Sequence, residues 1–153
     1  MTRIYMDGVF DLFHYGHVRA IHQCYDIVKN ISDKNKVDGI KDTPEVVIGI
    51  ISDEDTESYK RLPIFTIDER TEILRAIKVV TEVISPAPLI VTKKFIEDHR
   101  IDIVVHGFAN DDDFAAQAEQ HKELIAMGIF QQIKYTNTIS TTDIIDRIKR
   151  NPV

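Results

Sequence analysis

The sequence predicts an α/β fold, a single-domain doubly wound parallel sheet, and three features of it carry that prediction. Short apolar runs alternate with segments of helical period along the chain. One run, residues 45–52, is rich in Val and Ile with almost no polar interruption, which suits a strand covered on both faces. At 153 residues the chain fits one domain, residues 1–153. A domain of that size buries about two-thirds of its unfolded surface, enough for a full core without disulfides or a structural metal.

Taken in order, residues 3–10 read as a buried strand ending at a glycine, and residues 18–30 carry apolar side chains at helical spacing. Residues 33–44 are polar, with Lys, Asp, Gly and Pro, and read as a surface loop. After the strand at 45–52 come a helix at 68–78 and a short strand at 82–84 closed by Ser85-Pro86. Thr92 offers a side-chain oxygen to cap a helix at 93–99. A buried strand at 101–107 precedes a helix at 114–127, which Gly128 ends. A last strand at 129–134 and a last helix at 141–149 complete the reading. Such alternation implies right-handed crossovers and places ligands beyond the carboxyl ends of the strands, near the switch in strand order.

Composition narrows the function. Apolar residues make up 43% and charged residues 29%, as in an ordinary globular protein. The net charge of −6 provides no basic field for DNA or RNA, so a phosphorylated ligand must be held by local positive groups. The single cysteine, Cys24, cannot form an intramolecular disulfide, argues against a Cys-based zinc site, and lies among apolar helix positions as a core residue. No charged-then-apolar leader and no membrane-length apolar stretch is present, so the expectation is a cytoplasmic chain without a membrane-binding segment.

The run Asp7-Gly8-Val9-Phe10-Asp11-Leu12-Phe13-His14-Tyr15-Gly16-His17 joins the first strand to the first helix. Histidines three apart at a helix start lie on one side of the chain, and Gly16 leaves room for a phosphate to approach. The free backbone N–H groups of a helix N-terminus favour anions. On spacing alone the histidines also fit a metal pair lacking a third ligand, surface residues, or structural caps. His22, His99 and His121 carry no pattern and read as surface or packing residues.

This run resembles the HxGH signature of the nucleotidyltransferase superfamily in its cytidylyltransferase version. The resemblance implies a Rossmann-like nucleotidyltransferase fold in which His14 and His17 bind a triphosphate and stabilise its transition state. Three further segments match. Tyr59-Lys60-Arg61-Leu62-Pro63-Ile64-Phe65-Thr66, followed by Asp68-Glu69-Arg70, is similar to the ethanolamine-phosphate members; Lys60 and Arg70 fall on functional positions, and Arg61 replaces a glycine. Ile139-Ser140-Thr141-Thr142-Asp143 is typical of cytidylyltransferases and approximates a capping box. Val105-His106-Gly107 matches a His-Gly or His-Asp step, with no clean alignment for Asp111 to Asp113. Relatives read Arg-Thr-Glu-Gly before Ile-Ser-Thr, whereas this chain reads Tyr135-Thr136-Asn137-Thr138, leaving Lys134 as the nearest cation.

By this resemblance the catalytic set is His14, His17, Lys60 and Arg70. The CTP contacts are Val9, Phe10, His106, Gly107, Lys134, Tyr135, Thr136, Ile139, Ser140, Thr141 and Thr142. The acceptor contacts are Asp7, Lys60 and Leu89. Magnesium is implied as a companion of CTP, with no side-chain ligands assigned, and a homodimer is implied. Choline-phosphate members carry a tryptophan where Leu89 stands, and this chain has none; between His106 and Gly128 only Phe108 and Phe114 are aromatic. A quaternary ammonium is usually held by aromatic faces, whereas a primary ammonium can donate to a carboxylate such as Asp7. Phosphoethanolamine is therefore the expected acceptor, with phosphocholine and glycerol phosphate as alternatives. The Ile-Ser-Thr-Thr-Asp run favours CTP over ATP, and Tyr135 leaves open a catalytically silent CTP-binding module.

Overall fold

The computed structural model describes residues 1–108 and 111–151, and of these the side chains of Phe108, Asp111, Asp113 and Phe114 lie outside the description. Strands β1 (Thr2–Gly8), β2 (Pro44–Ile51), β3 (Glu82–Ala87), β4 (Ile103–Phe108) and β5 (Phe130–Lys134) form one sheet in the order β3-β2-β1-β4-β5. All pairings are parallel. The helices are α1 (Tyr15–Lys34), α2 (Asp53–Tyr59), α3 (Ile67–Arg75), α4 (Lys93–His99), α5 (Asp111–Gln117), α6 (Lys122–Ala126) and α7 (Thr141–Arg150).

The period of two along the strands divides the core between the faces of the sheet. Ile4, Met6, Val46, Ile48, Ile50 and Val105 pack with Ile21, Cys24 and Val28 of α1 and Leu74 of α3. Tyr5, Val47 and Val104 face the other way, onto Ile96 of α4 and Leu124 of α6. Cys24 is buried in the first layer, as its apolar setting predicts.

The strand register builds the cleft. β1 pairs with β2 from Thr2↔Pro44 to Gly8↔Ile50, but with β4 only at Ile4↔Ile103 and Tyr5↔Val104. Beyond Tyr5 the two strands part, and strand order reverses at this place: β2 lies on one side of β1 and β4 on the other. The crevice therefore opens at the level of Asp7 and His106, where doubly wound sheets bind ligands.

Several boundaries differ from those predicted. Helix α1 starts three residues earlier and runs into the expected 33–44 loop as far as Lys34. Helix α2 had no apolar period to reveal it. Its only buried residue is Thr56, and it is stabilised by the Ser52 cap and by Asp53, Glu54 and Asp55 in its first turn, where acids complement the helix dipole. Strand β3 continues through Pro86, which an edge strand tolerates because no partner needs its missing N–H. The single helix expected at 114–127 is two, α5 and α6. Good helix formers fill the break at 118–121, but His121 turns in to stack on Phe130 at 4.7 Å, so packing overrides propensity. Gly128 does adopt a positive φ of 71° beyond α6, as a terminating glycine should.

Candidate active site

Between β1 and α1 the chain turns through two non-glycine residues in the left-handed region, Phe10 at φ 55° and Leu12 at φ 46°. The turn delivers His14 to the N-cap of α1. His14 Nδ1 accepts from the Gly16 N–H at 3.0 Å, and His17 Nδ1 accepts from the His14 N–H at 3.2 Å, a reciprocal capping box. The structural and chemical readings of the histidines thereby become one. A ring nitrogen that accepts a backbone N–H carries no hydrogen, so each neutral imidazole has its hydrogen on Nε2, free to donate to an anion.

The two rings stack at 3.9 Å and 23°, with Phe13 stacked on His17 at 5.3 Å. Burial, then the neighbouring His14 and Lys60, push His17 down to about 3; burial also lowers His14. Both are neutral donors near pH 7. A Cβ on Gly16 would stand 2.8 Å from His14 Cε1 and 3.2 Å from Ile139 Cγ2. The space that Gly16 leaves is thus filled by the His14 ring and by the Ile-Ser-Thr-Thr-Asp segment rather than lying open to phosphate.

Asp11 organises the loop that carries Lys60. It is 4% exposed; its Oδ2 accepts from Ile64 N at 2.7 Å and its Oδ1 from Phe65 N at 2.8 Å and Leu12 N at 3.1 Å. Arg61 approaches Oδ2 at 3.5 Å, and Thr141 Oγ1 donates to the Asp11 main-chain oxygen at 3.0 Å. Asp11, through its carboxylate and its main-chain oxygen, therefore joins the turn before α1, the loop after α2 and the start of α7. Asp11 was not among the site residues read from sequence. The available signal was an acid inside the apolar run Val-Phe-Asp-Leu-Phe, since a charge buried there must be paired. Lys60 caps α2 with its side chain exposed on one side; partial desolvation by the cleft and then the Arg61 charge hold its pKa below the ordinary lysine value.

Arg70 differs from the expectation. At 0% exposure its guanidinium donates to Val9 O at 2.8 Å, Ile51 O at 2.9 Å and Phe65 O at 3.2 Å, and pairs with Asp53 at 2.5 Å. In place of an open fork for phosphate, it is a brace that joins the ends of β1 and β2 beneath the His14–His17 turn. Val9 accordingly offers its carbonyl to Arg70, and Phe10 is a core residue.

Across the crevice, His106 Nδ1 stands 4.0 Å from Asp7 Oδ1, and burial raises Asp7 to about 7. His106 also lies 5.2 Å from His121, which sequence reading left without a role. A Cβ on Gly107 would come within 2.9 Å of the Tyr135 ring, so the exposed tyrosine packs on the glycine at the end of β4. Ser140 caps α7, accepting from Asp143 N at 3.1 Å; Ile139 is buried, Thr136 and Thr141 half-buried, Lys134 and Thr142 exposed. Leu89 is 45% exposed and follows the edge strand β3. The aspartates Asp111 and Asp113 and the aromatics Phe108 and Phe114 lie outside the described side chains. Among the described residues no group of three or more His, Cys, Asp or Glu converges as a metal cage, and no helix is long and apolar enough to cross a membrane. A cavity of about 460 Å³ at the opposite edge, lined by Thr2, Val37, Ile40 and Asp42, shares no residue with this cleft.

Comparison with known proteins places the chain in a family. The family model described as cytidylyltransferase-like matches residues 5–147. The chain is 37% identical over 151 residues to choline-phosphate cytidylyltransferase 2 of Arabidopsis thaliana, covering 98% of this chain and 45% of that protein. It is 35% identical to the probable choline-phosphate cytidylyltransferase of Schizosaccharomyces pombe, covering 98% of this chain and 38% of that protein. To the ethanolamine-phosphate cytidylyltransferase of Arabidopsis thaliana it is 34% identical, covering 96% of this chain and 32% of that protein. The chain thus spans less than half the length of these relatives. Among solved structures, the lipopolysaccharide core biosynthesis protein from Thermoplasma volcanium GSS1 shares the fold, with a TM-score of 0.63 at 21% identity over 89% of this chain and 97% of that one. The chain belongs to the cytidylyltransferase-like family.

Proposed function

We propose that this chain transfers CMP from CTP to a small phosphorylated amino alcohol, phosphoethanolamine by preference, releasing pyrophosphate. The observation that carries the reading is the capping box that leaves the Nε2–H groups of His14 and His17 as donors, with the Lys60 charge acting on His17. An ionised acceptor phosphate oxygen attacks the α-phosphorus of CTP in line, and the bond to the bridging oxygen breaks with its electrons leaving on pyrophosphate. His14, His17 and Lys60 donate to the charge that spreads over the transferring group. The N-terminal turn of α7, with Ser140, Thr141 and Thr142, offers further N–H and O–H donors to the nucleotide. Arg70 acts from below, holding the strand ends that carry the turn. No side chain has to remove a proton, because the acceptor phosphate is already ionised. Magnesium, when bound, would neutralise triphosphate charge, with the triphosphate itself supplying most of its ligands.

The acceptor assignment rests on Asp7 and on what the chain lacks. A primary ammonium arriving at Asp7 favours its ionised form and can donate to it, whereas no tryptophan is present to face a quaternary ammonium. A second reading, phosphocholine, is favoured by the identities of 37% and 35% to choline-phosphate enzymes against 34% to an ethanolamine-phosphate enzyme. A homodimer, which the family resemblance implies, is part of the proposal, and so is a cytoplasmic location. The test is pyrophosphate release with CTP and magnesium, supplying phosphoethanolamine, phosphocholine and glycerol 3-phosphate separately. Phosphoethanolamine should give the largest kcat/KM. Preference for phosphocholine would keep the reaction and overturn the acceptor, and silence with all three alongside CTP binding would leave a non-catalytic module.

A further inference from the structure

On α1, Tyr15, Arg19 and Gln23 follow one another at four-residue intervals and share one face of the helix. The outer two are fastened to the connection between β5 and α7. The Tyr15 hydroxyl bonds Thr138 Oγ1 at 3.0 Å. The Gln23 amide donates to Lys134 O at 2.8 Å and accepts from Lys134 N at 2.9 Å, standing in for a neighbouring strand. Arg19 sits between these fastenings and so faces the intervening residues, Tyr135 to Asn137.

Arg19 is exposed, its Cζ lies 4.8 Å from the centre of the Tyr15 ring, and among the described residues no carboxylate pairs with it. A guanidinium lying over an aromatic face keeps its edge N–H groups free for a bidentate grip. The same helical turn carries His14, Gly16 and His17, and Gly16 abuts Ile139. The facing segment offers Tyr135, which has no charge to place on a phosphate.

From this arrangement, and resting on the nucleotide-transfer reading above, we propose that Arg19 is a nucleotide-binding residue: its guanidinium grips the β- and γ-phosphates of the bound triphosphate from the α1 side of the seam, serving the segment where Tyr135 stands.

Calorimetric titration of the full chain with CTP and with CMP, in magnesium, tests the assignment. It compares wild type, Arg19→Ala, Arg19→Lys and the double variant Arg19→Ala/Tyr135→Arg. Arg19→Ala should weaken CTP roughly ten- to hundredfold, the range for losing a charged hydrogen-bonded contact, and shift CMP by no more than about twofold, since CMP lacks the outer phosphates. Arg19→Lys should recover part of the loss, because a point charge replaces a fork. Tyr135→Arg should restore CTP binding in the Arg19→Ala background by supplying a guanidinium from the opposite wall. Equal losses for CTP and CMP, or no loss for either, would overturn the assignment; thermal midpoints equal to wild type establish that the exposed substitution leaves the fold intact. Pyrophosphate release measured in parallel separates the two readings. Wild-type CTP binding that needs Arg19 but yields no pyrophosphate sinks transfer and keeps Arg19. Full release by Arg19→Ala with unchanged CTP affinity does the reverse, and a wild type that binds no CTP overturns both.

Discussion

The two walls of the crevice are built on different principles. Under β1 and β2 the structure uses buried polar hubs: Arg70 gathers three carbonyls and Asp53, and Asp11 gathers the N–H groups of Leu12, Ile64 and Phe65. At β4 and β5 it uses more exposed side chains in looser contact: Tyr135 against Gly107, His106 beside His121, and a half-buried Gln23 clamping Lys134. A buried hub cannot change without leaving unsatisfied groups in the interior, whereas an exposed ring can be exchanged at little cost. The wall carrying His14 and His17 is therefore the one that folding itself enforces. The opposite wall carries Tyr135, at a position where the family resemblance implies an arginine.

The contrast predicts its largest effect at Arg70. Arg70→Met keeps much of the side-chain volume but leaves three carbonyls and Asp53 without their donor, and should cost about 3–5 kcal/mol of stability. Urea unfolding measures this, and a loss below about 1 kcal/mol would show that Arg70 does not brace the strand ends. Adding Asp53→Asn should return part of the loss, because the unpaired charge is then gone.

Gly16 should come next, and its effect should appear in turnover. A methyl group there meets the His14 ring at 2.8 Å, and that ring is also the N-cap. Gly16→Ala should swing His14 out of the capping box and lower kcat by about tenfold or more, equivalent to about 1.4 kcal/mol or more, with a smaller change in the CTP KM. Unchanged kcat would mean that the stacked pair is not the reacting geometry.

The pH dependence of stability gives a further test, because His17 and Asp7 have opposite signs. His17 falls from 6.5 to about 3 in the fold, so its contribution is present above pH 6.5 and lost as pH drops toward 3. Asp7 rises from 3.8 to about 7, so its contribution is present below pH 3.8 and lost as pH climbs toward 7. Between these limits Asp7 offsets only part of the histidine contribution, because His14 and His121 act in the same sense as His17, and the wild-type urea midpoint should rise gently from pH 4 to pH 6.5. Asp7→Asn should expose the histidine slope, with His14 and His121 adding to it because burial lowers both, and stability should climb with pH. His17→Gln should tilt the profile toward the opposite slope. Parallel profiles for all three proteins would refute the pairing of signs.

What was legible in the sequence divides along the same line. The strand–helix alternation, the N-caps at Thr92 and Ser140 and the terminating Gly128 are local signals, and each appears in the structure where the sequence places it. The histidine pair was legible because its cap and its chemistry use the same few residues. Arg70 was legible as a residue of interest but not as a buried brace, because its partner Val9 lies 61 positions away. Asp11 was missed for the same reason, its N–H donor Ile64 being 53 positions distant. Helix α2 escaped notice because it buries almost nothing and is held by caps and charge, which leave no apolar period.

The smallest predicted effect probes the exposed wall at its point of contact. Gly107→Ala places a methyl 2.9 Å from Tyr135 Cδ2, the edge of an exposed ring that can swing aside, so stability should change by less than about 0.5 kcal/mol. If the ring's resting position shapes nucleotide binding, that displacement should raise the CTP KM by about threefold, near 0.65 kcal/mol. Tyr135→Ala should raise it by a similar factor. The decisive measurement is the double variant, since both changes act through one contact and should not add. A Gly107→Ala/Tyr135→Ala protein with the KM of Tyr135→Ala alone places the effect in the ring. Additive penalties would instead mean that Gly107 meets the nucleotide through its own backbone, which would make this wall as closely fitted as the one across the crevice.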